Sequence, residues 1–201
     1  GVADMDFRAP EVIRDSLHDV LDMGVLGYTD LSDKFFTSIR RWYKKQYDMD
    51  IPVEWIVFCP RINVASSICV EACTEKGDGV MIHTPAYGPL QNAILKNGRT
   101  MLESPLKLDG EHYEMDFAQM DAAVDERTRM MIMCNPHNPT GRAWSMEEMQ
   151  QTAEFCKKHD LILFTDEIHG DLTKAGVKHH TMLSVSEEMN ERLVVASAPT
   201  K

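Results

Sequence analysis

Three short tracts carry side chains whose types and placement can do chemistry. Asn135-Pro136-His137-Asn138-Pro139-Thr140-Gly141 interrupts an apolar run with two prolines, which forbid both helix and central strand around Asn138. A rigid polar loop at the end of a buried strand is where open α/β sheets bind ligands, although an ordinary strand-to-helix connection uses the same turn residues. Thr165-Asp166-Glu167-Ile168-His169 follows a second apolar run, and Ser197-Ala198-Pro199-Thr200-Lys201 follows a third. A carboxylate at the rim of a buried strand needs a cationic or donor partner, because burying it alone costs several kcal/mol. Asp166 is therefore a candidate ligand-binding group, with Glu167 directed the other way if the strand continues. A metal set of Asp166, Glu167, His169, His179 and His180 has no ligand pair at helical spacing, so no metal is expected. A helix cap with salt bridges is the plain alternative for Asp166. A partly buried lysine has a lowered pKa and suits a Schiff base, whereas a frayed terminus would leave Lys201 idle. Lys201 alone does not separate these two.

The elements that must position these tracts follow from periodicity. Pro10 suits a first helical turn, and Val12, Ile13, Leu17, Val20 and Leu21 line one face until Gly24 ends the helix. A second amphipathic helix is expected from about Ser32 to Gln46, carrying Phe35, Phe36, Ile39, Trp42 and Tyr43. Beyond Pro52 short apolar runs alternate with helical patterns. Strands are expected at Trp55–Cys59, Val80–His83, Thr100–Glu103, Met130–Cys134, Leu161–Thr165 and Leu193–Ser197. Helices are expected at Val64–Ala72, Pro89–Lys96, Phe117–Val124 and Ser145–His159, with a hairpin-like stretch over Leu106–Met115. Continuous apolar strands separated by helices mean an α/β fold, a mostly parallel central sheet with helices on both faces.

Composition narrows the classes. With 201 residues and 43% hydrophobic content, the sequence is that of an ordinary globular chain. A net charge of −11 argues against a nucleic-acid partner. No apolar run approaches the roughly 18 residues that would span a bilayer. Cys59, Cys69, Cys73, Cys134 and Cys156 are odd in number, which fits free thiols and a cytoplasmic location. Cys69 and Cys73 are expected in the core. The missing initiator Met and an end one step past a strand are read as marks of a longer polypeptide.

Six stretches in order carry a resemblance: VADMDF (Val2–Phe7), GY (Gly27-Tyr28), TPAYGP (Thr84–Pro89), CNPHNPTGR (Cys134–Arg142), TDEIHGDL (Thr165–Leu172) and SAPTK (Ser197–Lys201). Together they resemble the fold type I enzymes that use pyridoxal 5′-phosphate (PLP), aminotransferase class I/II, and within them the MalY/PatB group of cystathionine β-lyase-like C–S lyases. The resemblance implies that Lys201 holds PLP as a Schiff base and shuttles the Cα proton. It implies that Asp166 pairs with the pyridine nitrogen, and that Asn138 donates to the ring 3-oxygen, with His169 near the same oxygen. Tyr87 would stack on the ring. Thr200 and the amides of Ile62 and Asn63 would bind the phosphate, which Tyr28 would reach from the neighbouring subunit of a homodimer. Asp4 and Phe7 would line the substrate entrance. A Gly-Val-Val type turn usual in the family is replaced by Arg61-Ile62-Asn63, so altered geometry is expected there.

The implied organisation is an N-terminal arm with helices over residues 1–50 and a PLP-binding large domain over 51–201. The large domain would stop at the Schiff-base lysine, and a C-terminal domain would lie beyond it. That domain would carry the arginine for the substrate carboxylate. The implied activity is β-elimination from cystathionine or related cysteine S-conjugates, giving thiol, pyruvate and ammonia. An aminotransferase and a PLP-binding regulatory protein remain as alternatives.

Overall fold

The computed structural model describes residues 6–199, so Asp4, Thr200 and Lys201 lie outside the described residues. The chain divides into two compact units between Ile56 and Val57. In the first, helix α1 (Glu11–Met23) begins after Pro10 and ends at Gly24, whose φ of 72° is the left-handed conformation that glycine adopts without strain. Helix α2 (Asp33–Tyr47) carries Lys44 and Lys45 in its last turn, where they complement the helix dipole. Phe35, Phe36, Ile39 and Tyr43 are its half-buried stripe. Arg40 Nε donates to Ile51 O at 2.8 Å, tying α2 to the segment that follows. In α1 the apolar positions Val12, Ile13, Leu17, Val20 and Leu21 are exposed.

The expected strand at Trp55–Cys59 does not form. Val53–Trp55 is a turn of 3-10 helix, and Val57 and Phe58 are exposed. An apolar run becomes a strand only where a neighbouring ladder satisfies its backbone. The run pairs with no strand of the sheet, and Pro52 and Pro60 bracket it without N–H groups to offer.

The second unit is built on five parallel strands, β1 (Gly79–Thr84), β2 (Thr100–Pro105), β5 (Thr128–Cys134), β6 (Ile162–Asp166) and β7 (Leu193–Ala196), in the order β2-β1-β5-β6-β7. A small antiparallel hairpin, β3 (Lys107–Asp109) with β4 (His112–Glu114), stands apart from them. The connecting helices are α3 (Ile62–Cys73), α4 (Gly88–Leu95), α5 (Phe117–Ala123) and α6 (Met146–Lys158).

Side-chain alternation sorts the sheet into two faces. Val80, Ile82, Ile132, Cys134, Phe164 and Ala196 form one core with residues of α3 and α4. Met81, Met131, Met133 and Leu163 form the other with residues of α5 and α6 and with Met182 and Met189. Because both faces are covered, the strands read as unbroken apolar runs. Unbranched methionines fill much of the second core, where their flexible chains adapt to irregular gaps.

Local signals fix the ends of these elements. Ser145 Oγ accepts from Glu148 N at 3.2 Å, and Glu148 Oε2 accepts from Ser145 N at 2.7 Å, a reciprocal cap that starts α6. Gly79 permits close strand approach: a Cβ there would sit 2.9 Å from Leu102 Cδ1 and 3.2 Å from Thr128 Cα. Cys69 lies only partly buried at the margin of the first core, and Cys73 is likewise half-exposed rather than interior.

Phe164 is fully buried in the central part of this sheet. Phe164→Ala in the full-length polypeptide should cost about 3–5 kcal/mol, read as a lower urea midpoint at unchanged slope. A loss under about 1 kcal/mol would contradict the assigned core.

Candidate active site

The site is assembled where strands run out. In β6 the last residue is Asp166, paired in register with Cys134 of β5 and Ala196 of β7. It shares the α3/α4 face with those two neighbours, and it is 3% exposed. Its Oδ1 accepts from Ile168 N at 3.1 Å. Glu167, also buried, is turned to the opposite side: its carboxylate takes Met182 N at 2.8 Å, Thr165 Oγ1 at 3.2 Å and His179 Nε2 at 3.1 Å. The metal set weighed from sequence is thus split, with Glu167 and His179 engaged in holding the β6–β7 connection. No group of three or more His, Cys, Asp or Glu suited to a metal occurs among the described residues. Gly170 is necessary to this packing, since a Cβ there would lie 2.9 Å from His179 Cδ2.

After β5 the chain enters the Asn-Pro loop. Asn135 Nδ2 donates to His180 O at 3.1 Å, and Asn135 Oδ1 accepts from Trp144 N at 3.1 Å, so its side chain braces both flanks. Tyr87 caps the start of α4 after β1 and is 40% exposed. His83, Ala86, Tyr87, Cys134, His137 and Asn138 line one pocket, so Tyr87 and Asn138 are brought together. His169 lies half-buried in the turn after β6, where its carbonyl accepts from Leu172 N at 2.9 Å.

The turn before α3 is the place where altered geometry was expected. Arg61 has φ −157° and ψ 145°, extended backbone that any residue adopts, so its side chain imposes no strain. Arg61 O accepts the first helical bonds, from Val64 N at 3.1 Å and Ala65 N at 3.0 Å. The amides of Ile62 and Asn63 lead the helix ahead of those bonds, the arrangement that binds anionic groups. Tyr28 and Phe7 are exposed in the first unit, and Asp4, Thr200 and Lys201 are among the residues not described.

Sequence reasoning passed over His83 and His137. His83 is 1% exposed and His137 is 3% exposed, and their ring centroids lie 6.5 Å apart, both beside Trp144. The available signal was a histidine closing an otherwise apolar strand, and another fixed between two prolines. Burial, reinforced by the neighbouring His137, pushes His83 down to about 3, against the raising effect of Ser104. Burial alone takes His137 down to about 4. Both rings are neutral at ordinary pH.

With this geometry in place, known proteins supply a frame. The family described as Aminotransferase class I and II matches residues 2–199. The chain belongs to that family. It is 38% identical over its whole length to cystathionine beta-lyase PatB of Bacillus subtilis, covering 52% of that protein. It is 32% identical over 173 residues to protein MalY of Escherichia coli, covering 85% of this chain and 44% of the other. Cystalysin from Treponema denticola, solved with a pyridoxal 5′-phosphate cofactor, superposes with a TM-score of 0.94 at 34% identity, over 98% of this chain and 50% of that one. These matches set the chain in the MalY/PatB group of the aminotransferase class I and II family, with the fold type I architecture. It spans about half the length of the curated relatives it matches.

The buried histidines predict acid sensitivity. Unfolded chains take up protons on histidine near pH 6.5, roughly, and the folded protein resists this until the pH nears the depressed values. Their stabilisation is therefore complete above that pH and is lost as pH falls toward about 4 for His137. His137→Gln should lose less stability than the parent between neutral pH and pH ~4.5, by about 2 kcal/mol in urea unfolding. An unchanged pH dependence would contradict a buried neutral imidazole.

Proposed function

We propose that this chain is the cofactor-binding part of a PLP-dependent C–S β-lyase acting on cystathionine or related cysteine S-conjugates. The observation that carries the reading is Asp166, a carboxylate 3% exposed at the end of a central strand. It shares a sheet face with the helix whose leading amides belong to Ile62 and Asn63. A buried carboxylate fits a protonated pyridine nitrogen, and a helix N-terminus fits a phosphate. The donor set therefore suits PLP, and cystalysin, which the chain superposes on, contains it. The lyase assignment draws on the identity with PatB, named a cystathionine beta-lyase.

Bound PLP supplies an electron sink for the pair left at the substrate Cα. The residues of this chain do the rest. Asp166 would hold the pyridine nitrogen protonated by charge pairing, while Asn138 and His169 would address the ring 3-oxygen. Tyr87 would cover a ring face. Ile62, Asn63 and Thr200 would hold the phosphate, joined by Tyr28 across a homodimer boundary. Lys201 would hold the cofactor through its Nζ and would serve as the base toward the substrate Cα proton. In β-elimination the Cβ–S bond breaks with its electron pair leaving on sulfur. The released aminoacrylate adds water and gives pyruvate and ammonia. Asp4 and Phe7 would line the substrate entrance. An aminotransferase, the second reading, is favoured by the family's description; there Lys201 would serve as the proton carrier and no C–S bond would break. We place the protein in the cytoplasm, consistent with its odd number of cysteines.

The full-length polypeptide, given PLP and L-cystathionine without a keto acid, should produce pyruvate. Lys201→Ala should lower the rate at least about a thousandfold, since it removes anchor and base together. Amino-group transfer to an added keto acid, with no pyruvate formed in its absence, would overturn the lyase reading in favour of the aminotransferase.

A further inference from the structure

Asn138 sits at the tip of a loop whose two ends are bound to one residue. His137 N donates to Arg142 O at 2.6 Å, and His137 O accepts from Gly141 N at 2.7 Å. The imidazole repeats the closure with its side chain: Nδ1 lies 2.8 Å from Thr140 Oγ1, on the far side of Pro139. Thr140 Oγ1 also accepts from Arg142 N at 3.4 Å, so the hydroxyl joins the imidazole to the outgoing end of the loop, with donor and acceptor at Nδ1 set by the ring's tautomer. The ring has little freedom to move. It lies against Trp144 with centroids 5.7 Å apart, and Trp144 is itself pinned by Nε1 donating to Cys134 O at 2.9 Å.

Arg142 anchors the outgoing end, its Nε donating to Tyr113 O at 2.8 Å and its guanidinium paired with Glu148. Both ends of the loop are thus tied into the fold, and the side-chain bond between His137 and Thr140 spans only Asn138 and Pro139. A bond so placed has one residue with hydrogen-bonding chemistry to orient.

We propose that His137 and Thr140 form a latch that sets the Asn138 amide for its cofactor contact, which makes His137 a positioning residue rather than a packing residue. The proposal rests on the reading of Asn138 as a PLP ligand. The fold does not need such a latch for register, because the backbone bonds of His137 already close the loop. The side-chain bond adds orientation at the tip.

The test uses the full-length polypeptide stripped of cofactor and titrated with PLP, followed by absorbance, with the melting midpoint of each apo variant recorded alongside. Thr140→Val and His137→Phe should each weaken PLP binding about five- to tenfold, the worth of one oriented hydrogen bond. The double variant should be no weaker than the weaker single. In an Asn138→Ala background, His137→Phe should add nothing. If His137→Phe causes the same loss with Asn138 removed, His137 acts elsewhere and the latch is overturned. If neither single variant weakens binding, it is likewise overturned. If Asn138→Ala itself binds PLP as the parent does, the assignment of Asn138 fails and the latch falls with it. Failure of the parent to bind PLP would instead overturn the proposed function. Thr140→Val is nearly isosteric, so it keeps the test open should His137→Phe not fold.

Discussion

At the ends of β5, β6 and β7 two backbone bonds carry the ladders one step beyond the last strand residues. Asn135 N donates to Asp166 O at 2.9 Å, and Glu167 N donates to Ala196 O at 2.8 Å. Between them they hold the Asp166–Glu167 peptide from both sides. Side chains in a strand alternate, so once that peptide is fixed the two carboxylates must face opposite ways. Asp166 is committed to the face of α3 and α4, and Glu167 to the face of Met182. A slip of one residue in either ladder would exchange them and put the wrong carboxylate in the site.

The same constraint explains why two buried acids are tolerated side by side. Glu167 is satisfied by a backbone amide, a hydroxyl and an imidazole, and in return it fixes the connection running from His179 to Met182. Asn135 reaches the same connection through His180 O, so the loop bearing Asn138 and the strap held by Glu167 are braced against one another. Precision at the site thus comes from polar groups placed behind it. Hydrophobic burial supplies the bulk of stability, but it does not orient an amide or a carboxylate.

Much of this was legible in the residues. The strands at Val80–His83, Met130–Cys134 and Leu161–Thr165 could be read because burial on both faces demands unbroken apolar runs. Gly24, Ser145 and the last-turn lysines of α2 marked helix ends by their own backbone and dipole chemistry. The opposed directions of Asp166 and Glu167 followed from strand alternation. Trp55–Cys59 misled, since an apolar run says nothing about whether a ladder exists to receive it. The exposed apolar stripe of α1 and the partial exposure of Cys73 show the same limit, because periodicity marks a face without saying what covers it. His83 and His137 escaped notice for a different reason. Their role comes from contacts across β1, β2 and the Asn-Pro loop, and no local pattern encodes a meeting of residues so far apart in sequence.

The matches to PatB, MalY and cystalysin agree with what the strand ends present, a buried carboxylate, an anchored amide loop and a helix start on one unit. On the proposed function, Asp166 keeps a pyridine nitrogen charged. Nitrogen NMR on isotope-labelled PLP bound to the full-length polypeptide reads that protonation state directly. The parent should show a protonated ring nitrogen at neutral pH, and Asp166→Ala should show a neutral one with the cofactor still attached. The same protonated signal in both proteins would contradict the claim and assign the buried carboxylate a purely structural role.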